Sequence, residues 1–180
     1  MSYETEKHLR PMIRFVKNKY KNKPLIGAEI GVKGGLHSWC ILNGLNIEKL
    51  YLIDNYNGKW NKYKNVMLKR LDSFISDKKV EIIYENSFTA HNNIPKGLDF
   101  LYIDGCHTSK CVRNDIYNYL SHLKSNSVIG GHDYDYKFQG LIDVVNEFVS
   151  DNNLVLHTQY DTKDPNTKIT GTDWWVIWKK

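Results

Sequence analysis

The 180-residue chain lacks the features that mark membrane-spanning and secreted proteins. Its longest unbroken apolar run is Trp174 to Trp178, far shorter than the roughly 20 residues that a helix needs to cross a bilayer. The first ten residues, MSYETEKHLR, have no apolar core of the kind found in signal peptides. We therefore expect a soluble protein of the cytoplasm that has no membrane span.

Cysteine is scarce, and its spacing follows no metal or redox motif. Cys40, Cys106 and Cys111 are the three cysteines, and no two of them form a Cys-x-x-Cys pair. This pattern predicts neither a disulfide framework nor a four-ligand zinc site. We interpret all three as small residues in or near the core.

The net charge of +5 is concentrated at the N-terminus. Residues 1–23 carry seven Lys or Arg and two Glu, whereas the other 157 residues carry 18 charges of each sign. A nucleic-acid enzyme more often spreads cations around its working cleft, so we do not expect a nucleic-acid partner. The favoured interpretation of the basic segment is a solvated helix face; the alternative is a patch for an anionic substrate or a membrane surface.

Apolar residues at helix and strand spacings alternate along the chain. A first amphipathic helix is predicted from Leu9, Met12, Ile13, Val16 and Tyr20. This helix defines a basic N-terminal segment, residues 1–24, ahead of a domain of residues 25–180. Further helices are predicted at residues 36–42, 63–74, 112–123 and 138–149. Strands are predicted at residues 25–32, 50–53, 80–84, 98–103, 128–131, 154–158 and 174–178.

Five strands that alternate with helices predict a doubly wound parallel sheet with both faces covered. The last two predicted strands are joined only by a polar loop at residues 161–171, which has no room for a crossover helix. These two strands are therefore expected to pair antiparallel, as a hairpin at one edge. The expected fold is α/β and Rossmann-like, with a mostly parallel seven-stranded sheet.

Polar residues follow the predicted strands where those strands end. They are Glu29, Gly31, Asp54, Asn86, Ser87, Asp104, His132 and Asp133. Ligands of doubly wound sheets bind outside the carboxyl ends of the strands, near the point where strand order reverses. We therefore expect these residues to line one shared pocket.

The stretch LIGAEIGVKGGLHS, residues 25–38, predicts a strand, a glycine turn and a helix start, which suits a charged small ligand. Asp54 lies 23 residues beyond Gly31, the distance at which an acid after the second strand can bind ribose hydroxyls. The chain lacks G-x-G-x-x-G, and Glu29 stands where its first glycine would be. A carboxylate there would repel a pyrophosphate but attract an ammonium and a sulfonium. The spacing therefore favours S-adenosylmethionine over a nicotinamide cofactor.

The segment AEIGVKGG, with Asp54 after the second strand, resembles the motif pattern of class I S-adenosylmethionine-dependent methyltransferases. The segments LYIDGCHTSKCVRNDIYNYL and SVIGGHDYDYKFQGLIDVVNEF are similar to a narrower, small-molecule O-methyltransferase-like family, in which Ile-Asp-Gly-x-His and Gly-His-Asp-Tyr motifs recur. The resemblance runs from about Leu25 to the C-terminus. It implies the class I methyltransferase fold and methyl transfer to a small hydroxylated acceptor such as a sugar or a phenol.

The resemblance also implies a set of residues that contact the cofactor. These are Glu29, Gly31, Gly35, Ser38, Asp54, Asn86, Ser87 and Asp104. Glu29, Gly31 and Gly35 would border the methionine end, and Asp54 the ribose. Asn86 and Ser87 would border the adenine edge, where the family often has an acid, so Asn86 departs from the pattern.

Metal-dependent relatives bind a divalent cation with an acid after the fourth strand and a pair of residues after the fifth. Asp104, His132 and Asp133 occupy those positions here. Carboxylates at the ends of adjacent strands, ~4.8 Å apart, can share one ion. Two carboxylates suit Mg²⁺, and a histidine shifts the preference toward Mn²⁺. The alternative is that Asp133 caps a turn and His132 is a strand-end histidine with its hydrogen bonds satisfied.

Methyl transfer to oxygen requires a deprotonated acceptor hydroxyl aligned with the methyl carbon. A metal at Asp104 would lower the pKa of that hydroxyl, or His107 or His132 would take its proton as general base. His107 follows the fourth strand by a short loop and can face the pocket; alternatively, its ring caps the next helix. His37 is a weaker candidate. The other histidines are interpreted as surface residues: His8, His91, His122 and His157.

The sequence is also compatible with other functions. An RNA or protein methyltransferase is favoured only by the basic N-terminal segment, and Asp104-Gly-Cys-His lacks the Asp/Asn-Pro-Pro-aromatic motif usual for methylation of base amino groups. A non-catalytic nucleoside-binding domain would not need the strand-end acids, and an NAD-dependent oxidoreductase is the remaining enzyme. Acceptor specificity is expected from the N-terminal helix, from residues 55–60 and 133–139, or from a second subunit of a homo-oligomer.

Overall fold

The computed structural model describes residues 9–160 and 171–179, which form one seven-stranded sheet with helices on both faces. The strands are β1 (Leu25–Ile30), β2 (Ile47–Ile53), β3 (Val80–Ile83), β4 (Leu98–Ile103), β5 (Leu123–Gly131), β6 (His157–Tyr160) and β7 (Thr172–Ile177). The helices are α1 (Pro11–Tyr20), α2 (Leu36–Gly44), α3 (Lys64–Ser76), α4 (Ser87–Ala90), α5 (Ser109–Tyr117) and α6 (Gln139–Asp151). Short 3₁₀ helices span Gly58–Tyr63, His91–Asn93, Leu120–His122 and Tyr136–Phe138.

The sheet has the strand order β3-β2-β1-β4-β5-β7-β6. Strands β1 to β5 run parallel, and β7 pairs antiparallel with both β5 and β6. The predicted α/β fold, with an antiparallel strand pair at one edge, is confirmed. Strand order reverses between β1 and β4, which places the carboxyl ends of these two strands at the switch point where ligands bind. The polar loop predicted at residues 161–171 lies outside the described residues except for Gly171.

Four strands begin elsewhere than their apolar patterns predict, and one of them, β7, begins at Thr172, two residues early. β2 and β5 begin earlier than predicted, and residues 124–126 of β5 are polar and exposed. β6 begins at His157, three residues later than predicted, and its residues are half-buried or exposed. Hydrophobic alternation reveals only strands with a buried face, whereas β6 is held by backbone pairing to β7.

Each face of the sheet carries its own apolar core. On one face, α1, α2 and α3 contribute residues such as Met12, Ile41 and Met67. On the other face, α5 and α6 contribute residues such as Ile116 and Phe148. No helix in the described ranges is long and apolar enough to cross a membrane.

The cysteine interpretation holds for one residue of three. Cys40 is buried, but Cys106, in the loop after β4, is exposed and is joined by a disulfide to Cys111 in the first turn of α5. The hydroxyl of Thr108 caps α5, and the first turn of that helix brings Cys111 back toward Cys106, with 5.7 Å between the two Cα atoms. Spacing rules built on Cys-x-x-Cys pairs do not detect this local turn.

One of the four histidines interpreted as surface residues is buried. His122 is 9% exposed, and its Nδ1 lies 3.4 Å from the carbonyl oxygen of Pro95. The 3₁₀ turn that follows α5 carries its ring inward, beside the ring of Tyr119. His91 and His157 are half-buried, and His8 lies outside the described residues.

Candidate methyl-transfer site

The glycine turn after β1 packs against the loop that follows β4. Gly31 has a φ of 88°, and a Cβ atom there would lie 2.1 Å from the carbonyl oxygen of Asp104. The amide of Gly31 donates to the carbonyl of Ile53 at 2.9 Å, and the amide of Asp104 donates to that of Ile30 at 2.8 Å. Only a residue without a side chain fits this position, which joins the carboxyl ends of β1, β2 and β4.

Glu29 forms a buried acidic group beside this turn. It is 1% exposed, the Ser38 hydroxyl donates to its Oε2 atom, and His37 Nδ1 lies 2.9 Å from Oε1. Burial raises the pKa of Glu29 to about 7, although Ser38 and Arg10 act to lower it. The site therefore holds a carboxyl group whose charged form a nearby cation would favour. Gly35, with a φ of 70°, immediately precedes α2, so His37 and Ser38 lie in the first turn of that helix.

Asp54, at the end of β2, fixes the shape of the glycine turn. Its Oδ2 atom accepts hydrogen bonds from the amides of Val32 at 3.0 Å and Lys33 at 2.8 Å. Its Oδ1 atom accepts one from the amide of Tyr56 at 2.9 Å. A carboxylate has about four acceptor positions, so three of them are occupied by backbone. Asp54 therefore holds the loops after β1 and β2 together and retains one position for a ligand hydroxyl.

Asn86 and Ser87 lie at the start of α4, after β3. The Asn86 side chain is exposed, and its oxygen accepts a hydrogen bond from the amide of Phe88 at 3.0 Å, which makes it the helix cap. The carbonyl oxygen of Ser87 accepts a hydrogen bond from the Tyr119 hydroxyl at 2.9 Å. These contacts fix the loop after β3, and they leave the amide nitrogen of the Asn86 side chain outside the cap.

Three side chains at the ends of β4 and β5 could hold a metal ion, and we name them the strand-end cluster: Asp104, His107 and Asp133. One ligand atom from each lies within 4.8 Å of the other two. His107 Nε2 is 3.3 Å from Asp133 Oδ2, and the His107 ring packs on Phe138 with 4.7 Å between centroids. The donor set of two carboxylates and one imidazole suits Mg²⁺ or Mn²⁺.

His132 has a different place from the one expected in the metal set. Its Nδ1 atom lies 2.9 Å from Asp133 Oδ1, and its side chain is 5% exposed. A Cβ atom on Gly171 would lie 2.2 Å from His132 Cε1, so the start of β7 covers the ring. His132 therefore orients Asp133 through this contact and is not itself a member of the cluster. The histidine of the cluster is His107.

Asp133 is held in its charged form. Burial acts to raise its pKa, but the hydrogen bond from His132 and the charges of His132, His107 and Arg10 outweigh burial and lower it. Its backbone has a φ of 63°, which directs the residue out of the line of β5. A carboxylate that stays ionised is available to a cation or to an imidazolium.

The charge pattern predicts a solvated face for the basic N-terminal segment, whereas Arg10 from this segment lies inside the site. Its Nη1 atom donates to Asp104 Oδ2 at 2.6 Å and to the Tyr102 hydroxyl at 3.0 Å. Tyr102 in turn donates to Asp173 of β7 at 2.8 Å, and both Tyr102 and Asp173 are fully buried. These three residues are missing from the expected site. Tyr102 stands in an apolar run of β4 and reads as a core residue, so only Asp173, an acid directly before the apolar run of β7, carries a sequence signal.

Several solved structures share this fold at low sequence identity. A putative O-methyltransferase from Klebsiella pneumoniae has a TM-score of 0.72 at 12% identity, covering 100% of this chain and 82% of its own. The O-methyltransferase from Bacillus cereus, in complex with SAH, has a TM-score of 0.68 at 15% identity, covering 98% and 82%. An rRNA methylase from Streptococcus thermophilus has a TM-score of 0.68 at 14% identity, covering 96% and 99%. These likenesses show that the fold is that of class I methyltransferases.

At the level of sequence, no curated protein matches the chain. The pattern of the family described as "Methyltransferase domain" matches residues 28–134. The match covers more than half of the chain, including the glycine turn, Asp54 and the strand-end cluster up to Asp133. The chain therefore belongs to the methyltransferase domain family.

Proposed function

We propose that the chain is an S-adenosylmethionine-dependent O-methyltransferase that acts on a small hydroxylated acceptor such as a sugar or a phenol. The observation that carries the proposal is the arrangement at the carboxyl edge of the sheet. A buried carboxyl at Glu29 lies beside the glycine turn, and a second polar group, the strand-end cluster, lies across that turn at the ends of β4 and β5.

The first group suits the cofactor. Glu29 would pair with the ammonium of the methionine moiety, with Ser38 orienting its carboxylate, and the side-chain-free turn at Gly31 and Gly35 lets the ligand approach the backbone. Asp54 would accept one ribose hydroxyl at its remaining acceptor position. The adenine edge would meet Asn86 and Ser87 after β3.

The second group suits activation of the acceptor. The His107 imidazole, beside Asp133, would take the acceptor proton as general base, because the carboxylate stabilises the imidazolium that forms. His132 would act through Asp133 and not on the acceptor. In the alternative route, Asp104, His107 and Asp133 would hold Mg²⁺ or Mn²⁺, which they fit by donor type and spacing, and His107 would then be a ligand and not the base. Such an ion would lower the pKa of an acceptor hydroxyl at the same position.

The division of labour along the chain follows from these placements. Residues 25–180 would carry the cofactor site and the chemistry, and the N-terminal segment, residues 1–24, would close the acceptor side through Arg10. An inward-facing Arg10 supports a small acceptor over RNA, because the basic segment then has fewer cations available for phosphates.

The decisive experiment is calorimetric titration with S-adenosylhomocysteine and with NAD, with and without Mg²⁺ or Mn²⁺. We expect S-adenosylhomocysteine to bind and NAD not to bind. If neither binds, the proposal fails; if only NAD binds, the chain is an oxidoreductase. If the methionine-derived ligand binds and turnover proceeds unchanged without metal, only the metal proposal falls.

Two substitutions separate binding from chemistry. Asp54→Ala should weaken S-adenosylhomocysteine binding about tenfold or more, since it removes the acceptor that shapes the turn. Asp104→Ala should weaken that binding less than Asp54→Ala does and should mainly abolish methyl transfer to a panel of phenols and sugars. Asp72→Ala, an exposed acid on α3, is the matched control and should change neither. Equal loss of binding in the Asp72 and Asp54 variants would contradict the assigned role.

A further inference from the structure

Arg10 is a largely buried cation that the proposed proton transfer does not use. It immediately precedes Pro11, the first residue of α1, and its side chain is 12% exposed. A guanidinium keeps its charge at any ordinary pH, so its burial requires anionic partners. Burial opposes the charge of Arg10, yet Tyr102, Asp104 and Asp173 hold its pKa well above the usual value.

The guanidinium of Arg10 makes its hydrogen bonds to residues at the end of β4. One nitrogen, Nη1, donates both to Asp104 Oδ2 at 2.6 Å and to the Tyr102 hydroxyl at 3.0 Å. The Cζ atom lies 5.6 Å from the centroid of the Tyr102 ring. Arg10 forms an ion pair with Asp104 of the strand-end cluster. The other Lys and Arg ion pairs within residues 9–160 and 171–179 involve acids outside the cluster.

A second acid anchors this arrangement. Asp173 Oδ2 accepts a hydrogen bond from the amide of Met12 at 3.0 Å, and its Oδ1 accepts one from Tyr102 at 2.8 Å. Asp173 therefore fixes both the backbone next to Arg10 and the hydroxyl that Arg10 binds. Met12 is itself fully buried in the core under α1. The ion pair is consequently held by packing and not by the flexible stem of an exposed side chain.

The position of Arg10 bears directly on metal binding. Asp104, its partner, is one of the three residues whose ligand atoms lie within 4.8 Å of one another. A divalent cation at the cluster would therefore share a carboxylate with a guanidinium and be repelled by it.

We propose that Arg10 is the resident cation of the strand-end cluster and that it sets how tightly the cluster binds a divalent metal ion. With Arg10 in place, the Asp104 carboxylate is oriented and paired without a metal, and metal binding is weak. Without the guanidinium, the same carboxylates become a stronger site. This inference rests on the proposed function only in assigning the metal to this cluster.

The test measures Mn²⁺ binding by calorimetry and by electron paramagnetic resonance, with no activity readout. Arg10→Met keeps the apolar stem and removes the charge, and it should bind Mn²⁺ about tenfold tighter or more than the original chain. Arg10→Lys keeps the charge and should stay within about threefold of the original. Arg14→Met, which removes a charge one turn along α1, is the matched control and should change affinity less than about twofold. Asp104→Asn in the Arg10→Met background should abolish the gain.

Three results would overturn the inference. The first is that the Arg10→Met variant and the original chain bind Mn²⁺ with the same affinity, or that neither protein binds Mn²⁺. Arg14→Met could raise the affinity equally, which would reveal only an effect of net charge. The gain could also survive Asp104→Asn, which would place the ion elsewhere.

A measurement on the unaltered chain covers the case in which Arg10→Met does not fold. The side-chain Nε–H resonance of Arg10, assigned by its loss in Arg10→Lys, should shift as Mg²⁺ is added to saturation. A resonance that stays fixed while Mg²⁺ binds in an Asp104-dependent manner would refute the inference. S-adenosylhomocysteine titration of the same sample tests the proposed function separately, because the proposed cofactor site lies at the glycine turn and not in the strand-end cluster.

Discussion

At the residue scale, burial determines what Glu29 can do. Its pKa in the folded chain is raised from 4.5 to about 7, primarily by burial. The folded state therefore binds more protons than the unfolded state between these two values, and this residue makes stability fall as pH rises through that window. A ligand ammonium beside Glu29 would reverse the effect by stabilising the carboxylate.

This reversal predicts that cofactor binding releases a proton from Glu29. Near pH 6, about 0.9 proton should leave on binding, and at pH 8 about 0.1, if the bound carboxyl has an ordinary pKa. Calorimetry of S-adenosylmethionine binding in buffers of different ionisation enthalpy measures the number released. Glu29→Gln, which keeps the shape, should release close to none at pH 6. Equal proton release by Glu29→Gln and the original chain would assign the proton to another group.

Some residues of the site can be predicted from their neighbours in the sequence, and others cannot. Glu29, Asp54, Asp104 and Asp133 interrupt apolar runs at strand ends, so their positions at one edge follow from the sequence. Arg10 cannot be found in this way, because its place depends on how α1 packs across the end of the sheet. Contacts between segments some 90 residues apart leave no trace in local spacing.

At the element scale, the turn from β1 to α2 depends on one glycine. Gly31→Ala should destabilise the fold by more than about 3 kcal/mol and abolish cofactor binding, because the new methyl would meet the carbonyl of Asp104. Gly58→Ala is the matched control, since Gly58 also has a positive φ, of 58°, but a methyl group there would have no atom of the described residues within 4 Å. It should cost only about 1 kcal/mol. Urea unfolding of both variants measures the two losses in the free energy of unfolding. Similar losses would mean that the positive φ, and not the contact with Asp104, determines the effect.

The loop from β4 to α5 is closed by the Cys106–Cys111 bond. Closing so short a loop constrains the unfolded chain and should add about 2 kcal/mol to the free energy of unfolding. Treatment with dithiothreitol should therefore lower Tm by about 4–8 °C for a chain of this size. In Cys106→Ser the reductant should have no effect. Thiol counting verifies that the bond is completely reduced. An unchanged Tm after complete reduction would contradict this expectation.

Elements with a buried face can be predicted from the sequence, and elements without one cannot. β4 is buried along its whole length, and its apolar run predicts the observed bounds. β6 is exposed along most of its length, and its place comes from pairing with β7, so the apolar pattern puts it three residues too early. The Cys106–Cys111 bond escapes prediction because it depends on the helix cap at Thr108 and not on cysteine spacing alone.

At the scale of the whole molecule, α1 is part of the core although the sequence sets it apart by charge. Met12, Ile13 and Val16 are fully buried, and α1 packs against β5, β6 and β7. Burial of three such side chains contributes roughly 5–9 kcal/mol, which is comparable to the total stability of about 5–15 kcal/mol of a typical domain. Arg10 directly precedes this helix, so the packing of α1 in the core also positions Arg10 in the site.

A chain of residues 25–180 alone should therefore fail to unfold cooperatively and should bind S-adenosylhomocysteine poorly. Thermal unfolding followed by circular dichroism, with and without the ligand, measures both effects. The matched control keeps the helix and changes Lys19 and Lys21 to alanine, which removes charge but no buried apolar contact; it should alter stability by less than about 1 kcal/mol. Cooperative unfolding of residues 25–180 at a similar Tm would show that the sheet supports itself. In that case α1 would act on the site only through Arg10, because its apolar face would contribute nothing that the remaining core could not replace.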